Sequence, residues 1–386
     1  MKIQFRSILL VISFSFSVIP TQAQLIPDSV VYNNMLKCIE CVLSKNDSIC
    51  KVAVNYYDSL LSLNNDCRIS IYKADVMYYY LDDPLGAYML LKEAELCKND
   101  LFLIELQGHV CYSLKNYIEA IEYLTKTISK KKNVSATTYF QRAKCFLHQN
   151  KLQLALKDLN TALIISPSYH EIRYMRILSN YMLKNYQSIL SDISLLEKSI
   201  NSSSYYPSDS TLMYLQYYKA IALCAKKNFH EAIIQLTKFN SDKHHEVLLT
   251  LRAFAKNQMK DYVGAIADCN QAEQIDNTKS DIFSHRGVSY LSLKNYESAI
   301  IDFDKAIELS NSTDKNTFFP ILSTQKLYQA TLYMNRGFAK LALEEYEDAC
   351  LDWSRAGELG EKDAYKYIRK YCKDLYDEDS EYKNDE

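Results

Sequence analysis

The 386 residues include 11 Cys, 7 His and 47 Asp plus Glu, which would serve nucleophilic, acid–base or metal chemistry if spacing brought them together. Cys38-x-x-Cys41 has half the spacing of a zinc knuckle, but it falls within a predicted helix and no matching Cys or His pair follows. His244-His245-Glu246 sits at a helix end without the spacing that places two histidine ligands on one helix face. Neither a Gly-rich phosphate loop nor a Gly-x-Ser-x-Gly elbow occurs in a chain with only 7 Gly. Paired carboxylates need a pocket that moves their pKa values apart, and the patterning described below predicts no closed pocket. The expectation is a non-enzyme with no catalytic residue, no cofactor and no metal.

The elements that carry these residues are helices. The chain is 48% hydrophobic and 24% charged, with 7 Gly and 6 Pro, too few turn formers for a multi-strand fold of this length. A net charge of −2 argues against nucleic acid, which calls for a basic face. At the start, Lys2 and Arg6 precede an apolar stretch broken only by serines, Ser7 to Ile19, and Pro20-Thr21-Gln22-Ala23 follows. That pattern predicts a signal peptide over 1–23 and export, to the periplasm or outside the cell. The run is shorter than the roughly 20 apolar residues a bilayer requires. No second apolar span occurs, so no membrane span is expected after cleavage.

An internal repeat organises the rest. Arg286-Gly287 is followed by Tyr296, Ala299 and Ala306; Arg336-Gly337 by Tyr346, Ala349 and Ala356; Arg252-Ala253 by Tyr262, Ala265 and Ala272. In each, an aromatic lies nine residues after the small residue, and alanines lie 12 and 19 after it. Small residues at those offsets let two antiparallel helices approach closely, and the aromatic fills the corner between them. The 34-residue period resembles the tetratricopeptide repeat (TPR), a helix–turn–helix unit that stacks into a solenoid. The resemblance implies an all-α, right-handed solenoid of about nine units. After a lead-in at 24–33, 34–100 forms two degenerate units, and 101–203 holds units at 101–134, 136–169 and 170–203. A loop at 204–212 precedes units 213–245, 246–279 and 280–313. A loop insertion at 314–329 precedes a last unit at 330–363, its capping helix (330–376 together) and an acidic tail at 377–386.

A charged spacing follows the same frame. Position 7 of a unit is Arg in five cases, and in those five position 23 is Asp: Arg142/Asp158, Arg176/Asp192, Arg252/Asp268, Arg286/Asp302 and Arg336/Asp352. The other four units have neither. A pair that appears and disappears together reads as a structural ion pair between the two helices of a unit rather than as a ligand ladder.

Export makes disulfides possible. Cys350 lies about ten residues before the turn at Gly360 and Cys372 about twelve after it, so helices rising ~1.5 Å per residue bring them to one height. The closing Ala-Cys-x-Asp-Trp and the Tyr371-Cys372 pair also resemble the ends of many exported bacterial TPR proteins. Cys350–Cys372 is therefore the first disulfide candidate, and Cys41–Cys50, straddling a turn near Asn46, the second. Cys145, Cys224 and Cys269 fall on inter-helix positions and read as small core residues.

In the TPR family, positions 2, 5, 9 and 12 of each first helix line the concave surface. Carried over, those positions are Glu171, Tyr174, Leu178 and Tyr181; then Tyr214, Tyr217, Ile221 and Cys224; then Val247, Thr250, Phe254 and Asn257. The aromatic members Tyr174, Tyr181, Tyr214, Tyr217 and Phe254 are the candidates for gripping a protein or peptide partner. Lys144 and Asn335 are isolated members of the carboxylate clamp used by chaperone-binding relatives, so that specificity is not expected. The resulting expectation is an exported scaffold. The alternatives are a glycan-binding module using exposed Tyr, or a non-catalytic subunit of an envelope enzyme complex.

Overall fold

The computed structural model describes residues 47–372, apart from 64–66, 95, 96, 98, 203, 204, 239–245 and 312–324. Of these residues 83% are helical, in 18 helices, and none is in a strand. The expected signal peptide, the lead-in, Cys41, most of unit 34–67 and the acidic tail lie outside them. The helices fall into two compact units, one ending at Leu183 and the other starting at Lys184.

The first unit contains α1 (Asp47–Leu63), α2 (Cys67–Tyr80), α3 (Pro84–Glu93), α4 (Leu101–Ser113), α5 (Tyr117–Lys130), α6 (Ala136–His148), α7 (Leu152–Ile165) and α8 (His170–Met182). Four of these helices start where the sequence supplies an acceptor for the free N–H groups: Asp83 for α3, Asp100 for α4, Asn116 for α5 and Ser135 for α6. The helices pair in sequence, and the first helices of neighbouring pairs also touch, α2 with α4 and α4 with α6. Small side chains make the approach possible. A Cβ built on Gly108 of α4 would stand 2.7 Å from Leu124 of α5.

The second unit contains α9 (Tyr186–Asn201), α10 (Asp209–Ala225), α11 (Phe229–Lys238), α12 (Glu246–Gln258), α13 (Tyr262–Ile275), α14 (Ser280–Ser292), α15 (Tyr296–Asn311), α16 (Gln325–Ala342), α17 (Tyr346–Glu358) and α18 (Ala364–Tyr371). Here too first helices touch in succession: α10 with α12, α12 with α14, α14 with α16. Within each unit they therefore form the inner side of the stack. Phe303 and Trp353 fill the spaces beneath Gly287 and Gly337, both rings fully buried. The capping helix α18 closes the last pair with Tyr367 and Tyr371 against Trp353, at ring distances of 5.6 and 5.8 Å.

The structure departs from the sequence frame at two connections. The loop expected at 204–212 is already helical from Asp209, because the Ser208 hydroxyl accepts from Thr211 N–H and caps α10 there. The insertion expected through 329 is helical from Gln325. Its extra turn is held by Tyr328, which hydrogen-bonds Ser280 at 2.8 Å, and by Gln325 and Gln329 donating to the Ser310 carbonyl.

Candidate binding surface

The Arg/Asp spacing produces a repeated geometry. Arg142, Arg252, Arg286 and Arg336 each donate from Nε and Nη2 to both carboxylate oxygens of Asp158, Asp268, Asp302 and Asp352. The fork-to-carboxylate match is the strong, bidentate form of such a pair. The aspartates are buried, at 2–4% exposure, which a carboxylate tolerates only when fully paired. Lys256 adds a contact to Asp268 at 2.8 Å and Lys340 one to Asp352 at 3.1 Å. Arg176 and Asp192 belong to different compact units, and Asp192 is buried.

The third guanidinium nitrogen does something the sequence frame missed. Nη1 of Arg142 reaches Thr125, that of Arg176 reaches Asn160, that of Arg252 reaches Thr237, that of Arg286 reaches Asn270, and that of Arg336 reaches Asp304. Every acceptor is position 25 of the preceding unit. Arg142, Arg252, Arg286 and Arg336 thus tie their own two helices together and also fasten them to the previous pair. The signal was available, since position 25 is polar in all five cases.

The inner face of the first unit carries a polar and aromatic network. Tyr79, at 43% exposure, hydrogen-bonds His109 Nδ1 at 2.9 Å across α2 and α4. Tyr78 donates to the His109 carbonyl at 3.2 Å and meets the Ser113 hydroxyl at 2.9 Å. Burial lowers the His109 pKa to about 4, so the imidazole is neutral at pH 7. Its Nε2 is buried without a partner. Glu105 pairs with Lys131 and accepts from the Thr138 hydroxyl. Lys144 lies 4.8 Å from the ring centres of both Tyr112 and Phe140. Tyr117 and His148 stack at 4.3 Å with rings nearly parallel. Sequence reasoning carried the inner positions only onto 170–279; extended to 68–134, the same frame reaches Tyr79, His109 and Tyr112.

The five aromatic candidates are divided between the units. Tyr174 and Tyr181 are half-buried in the first, while Tyr214, Tyr217 and Phe254 belong to the second. Tyr214 is 48% exposed and offers contact area. Tyr217 is a correction: at 4% exposure it is a packing residue, set edge-on to Tyr218. Phe140, Thr250, Ser284 and Met334 occupy the same position 5 and are also buried, whereas Tyr72, Glu105 and Tyr174 at that position are half-buried. Phe254 is half-buried against Phe229 and His285, at 6.2 and 5.5 Å. Asn257 likewise serves packing, donating to the His285 carbonyl and accepting from Ser289.

Cys350 and Cys372 are brought together in a disulfide with Cα atoms 5.9 Å apart. Cys50 is buried, and its proposed partner Cys41 lies outside the described residues. A disulfide absent from the sequence reading joins Cys67 and Cys97, also with Cα atoms 5.9 Å apart. The equal-height argument would have found it, since both residues lie 15 positions from Asp82 at the α2–α3 turn. Cys111, Cys145, Cys224 and Cys269 are buried free thiols. Burial raises the first three to about 12 and pushes Cys269 up as well, so all four keep their protons and none is a thiolate nucleophile. Among the described residues, no group of three or more His, Cys, Asp or Glu could hold a metal ion, and no helix is long and apolar enough to cross a membrane.

Paired helices with a shared inner face and an inter-pair arginine contact define a helical repeat protein. Residues 280–313 match the family model "Tetratricopeptide repeat". A TPR repeat-containing protein of Methanocaldococcus jannaschii is 21% identical over 340 residues, 81% of this chain and 58% of its own length. RNA polymerase II-associated protein 3 of Xenopus laevis is 32% identical over 105 residues, 26% of this chain and 16% of its own. This chain therefore spans less than two thirds of either relative. A crystal structure of a tetratricopeptide repeat protein from Parabacteroides merdae aligns with 80% of this chain and 99% of its own, at 19% identity and a TM-score of 0.32. Residues 280–313 are thus a tetratricopeptide repeat, and the repeated helix pairs around them support a tetratricopeptide repeat protein.

Proposed function

We propose that this protein is an exported scaffold that binds a protein or peptide along the inner face of its first helices and performs no catalysis of its own. Tetratricopeptide repeats commonly hold peptide or protein partners on that face. The observation that carries the reading is the inner face of the first unit, where Tyr79, Tyr112 and Lys144 are set in fixed geometry around His109. Rings already immobilised lose little entropy when a partner covers them. Lys2, Arg6 and the apolar run ending near Ala23 support export, and the two disulfides fit an oxidising compartment.

The test is selection from a phage-displayed random peptide library against the chain lacking 1–23, repeated with a Tyr79→Phe, Tyr112→Ala variant that matches wild type in helical circular dichroism. Peptides that bind wild type and lose about tenfold or more in affinity on the variant are expected, a loss of roughly 1.4 kcal/mol. Peptides that bind both equally would move the interface off this face. Turnover of any substrate by the purified chain would overturn the non-catalytic assignment.

A further inference from the structure

Three successive hairpin turns of the second unit carry cations that the fold itself does not use. Lys227, Lys260 and Lys294 hold the left-handed position that closes each turn, at φ of 61°, 66° and 63°. A Cβ there crowds the following carbonyl oxygen, which is why glycine or asparagine is usual. The helix dipole favours a cation in the last turn without requiring it at the one strained position. All three lysines are exposed, as is Lys226 beside the first. None of the three forms an ion pair with a described residue. Lys219, Lys256 and Lys340 of the same unit, by contrast, pair with Glu197, Asp268 and Asp352. Strain kept at positions that contribute no ion pair points to a use outside the fold.

The helices fix where these cations stand. Each lysine follows a first helix, α10, α12 or α14, and those helices touch in succession. Helices in contact lie about 8–10 Å apart, so their C-terminal turns form one edge with a cation at about that interval. Apolar side chains stand beside two of the cations. Met259 is 50% exposed next to Lys260, and Leu293 is 45% exposed next to Lys294. Asp261, the acidic residue of these turns, is occupied in capping α13, where it accepts from Gly264 N–H at 3.0 Å. At the next hairpin turn the sign reverses, with Glu344 and Glu345 in the corresponding places. The positive edge therefore spans three turns and interleaves charge with exposed apolar surface.

We propose that this edge docks an extended acidic segment of a partner protein. Its acidic side chains meet Lys227, Lys260 and Lys294, and apolar side chains between them cover Met259 and Leu293. The exposed apolar residues select a polypeptide, since a polyuronate or a nucleic acid brings charge without aliphatic side chains. An extended or polyproline II chain advances about 3.1–3.4 Å per residue, so three residues match one repeat. The ligand therefore carries Asp or Glu at every third position, with apolar residues between. This surface belongs to the second unit, and the inference does not depend on the inner face of the first.

The experiment measures fluorescence anisotropy of labelled peptides titrated with the full chain. The peptides carry three glutamates set two, three, four or five residues apart, with leucine and serine between them. Binding should be tightest at a spacing of three and should weaken about tenfold in a Lys227→Gln, Lys260→Gln, Lys294→Gln variant. A Lys227→Arg, Lys260→Arg, Lys294→Arg variant should retain it, both variants first matching wild type in helical circular dichroism. Affinity should fall as salt rises from about 50 to about 500 mM. The Tyr79→Phe, Tyr112→Ala variant should bind these peptides as wild type does, which separates this edge from the inner face of the first unit. No binding at millimolar peptide, affinity indifferent to glutamate spacing, or equal affinity in the glutamine variant overturns the proposal. So does an alginate oligosaccharide that binds more tightly than the best peptide and is lost in the glutamine variant.

Discussion

Where a lysine joins the pair, the buried aspartate should be worth more to the fold than its arginine. Asp268 is 2% exposed and faces both Arg252 and Lys256, so its removal leaves two cations around a buried, unoccupied acceptor position. Loss of Arg252 leaves Lys256 in contact with the carboxylate. Asp268→Ala should therefore cost about 3 kcal/mol and Arg252→Ala clearly less, read as midpoints of urea unfolding. Equal losses would mean that the carboxylate is not the centre of the cluster. His109 supplies a second test. Its folded pKa of about 4 lies below the unfolded value of 6.5, because burial penalises the cation. Between those values the unfolded chain binds a proton that the folded chain refuses, so stability is complete above about pH 6.5 and declines as pH falls toward 4, by about 3 kcal/mol at most. Melting temperatures at pH 7 and about pH 5 should converge in His109→Gln relative to wild type. An unchanged pH dependence would remove His109 from the acid response.

At the level of helices and turns, the repeat uses a left-handed residue where glycine is usual. Lys115, Lys227, Lys260 and Lys294 close their hairpin turns at φ between 61° and 66°. At the first of these, Lys115 N–H donates to the Tyr112 carbonyl and Asn116 N–H to the Cys111 carbonyl, which satisfies the end of α4. Relief of the Cβ strain should outweigh the entropy cost of glycine, so Lys294→Gly should stabilise the second unit by about 0.5–1 kcal/mol. A lower melting temperature would mean that the lysine makes compensating contacts. The reverse holds where glycine permits close approach. A Cβ at Gly287 would stand 2.8 Å from the buried Phe303 ring, so Gly287→Ala should cost about 1–3 kcal/mol in thermal unfolding. The extra first turn of α16 belongs to the same scale. Tyr328 reaches back to Ser280, so the helix following the insertion seals its neighbour instead of leaving a gap.

The whole chain should not unfold as one cooperative block. It comprises two compact units, one ending at Leu183 and the other starting at Lys184, and a repeat array is stabilised by its own pairs and their neighbours. Trp353, the chain's one tryptophan, lies fully buried in the second unit under the capping helix. Its fluorescence therefore reports that unit alone, while far-ultraviolet circular dichroism reports both. In urea the two transitions should not coincide, and superimposable curves would show one cooperative block. The Cys350–Cys372 bond closes 22 residues and should add about 3 kcal/mol to the capped end by restricting the unfolded chain. The tryptophan midpoint is then expected to fall on full reduction.

The amino-acid sequence by itself determined the helix class, the 34-residue period and the residues that must face one another within a pair. These are local matters, since 3.6-residue periodicity, small residues at close crossings and a charge partner 16 positions away all act inside one hairpin. The same locality placed Cys350 opposite Cys372 and would have placed Cys67 opposite Cys97. Contacts between pairs were decided only by the tertiary structure. The reach of each arginine to position 25 of the preceding unit depends on how adjacent hairpins stack, as does the burial of Tyr217 at a position the family frame assigns to the inner surface.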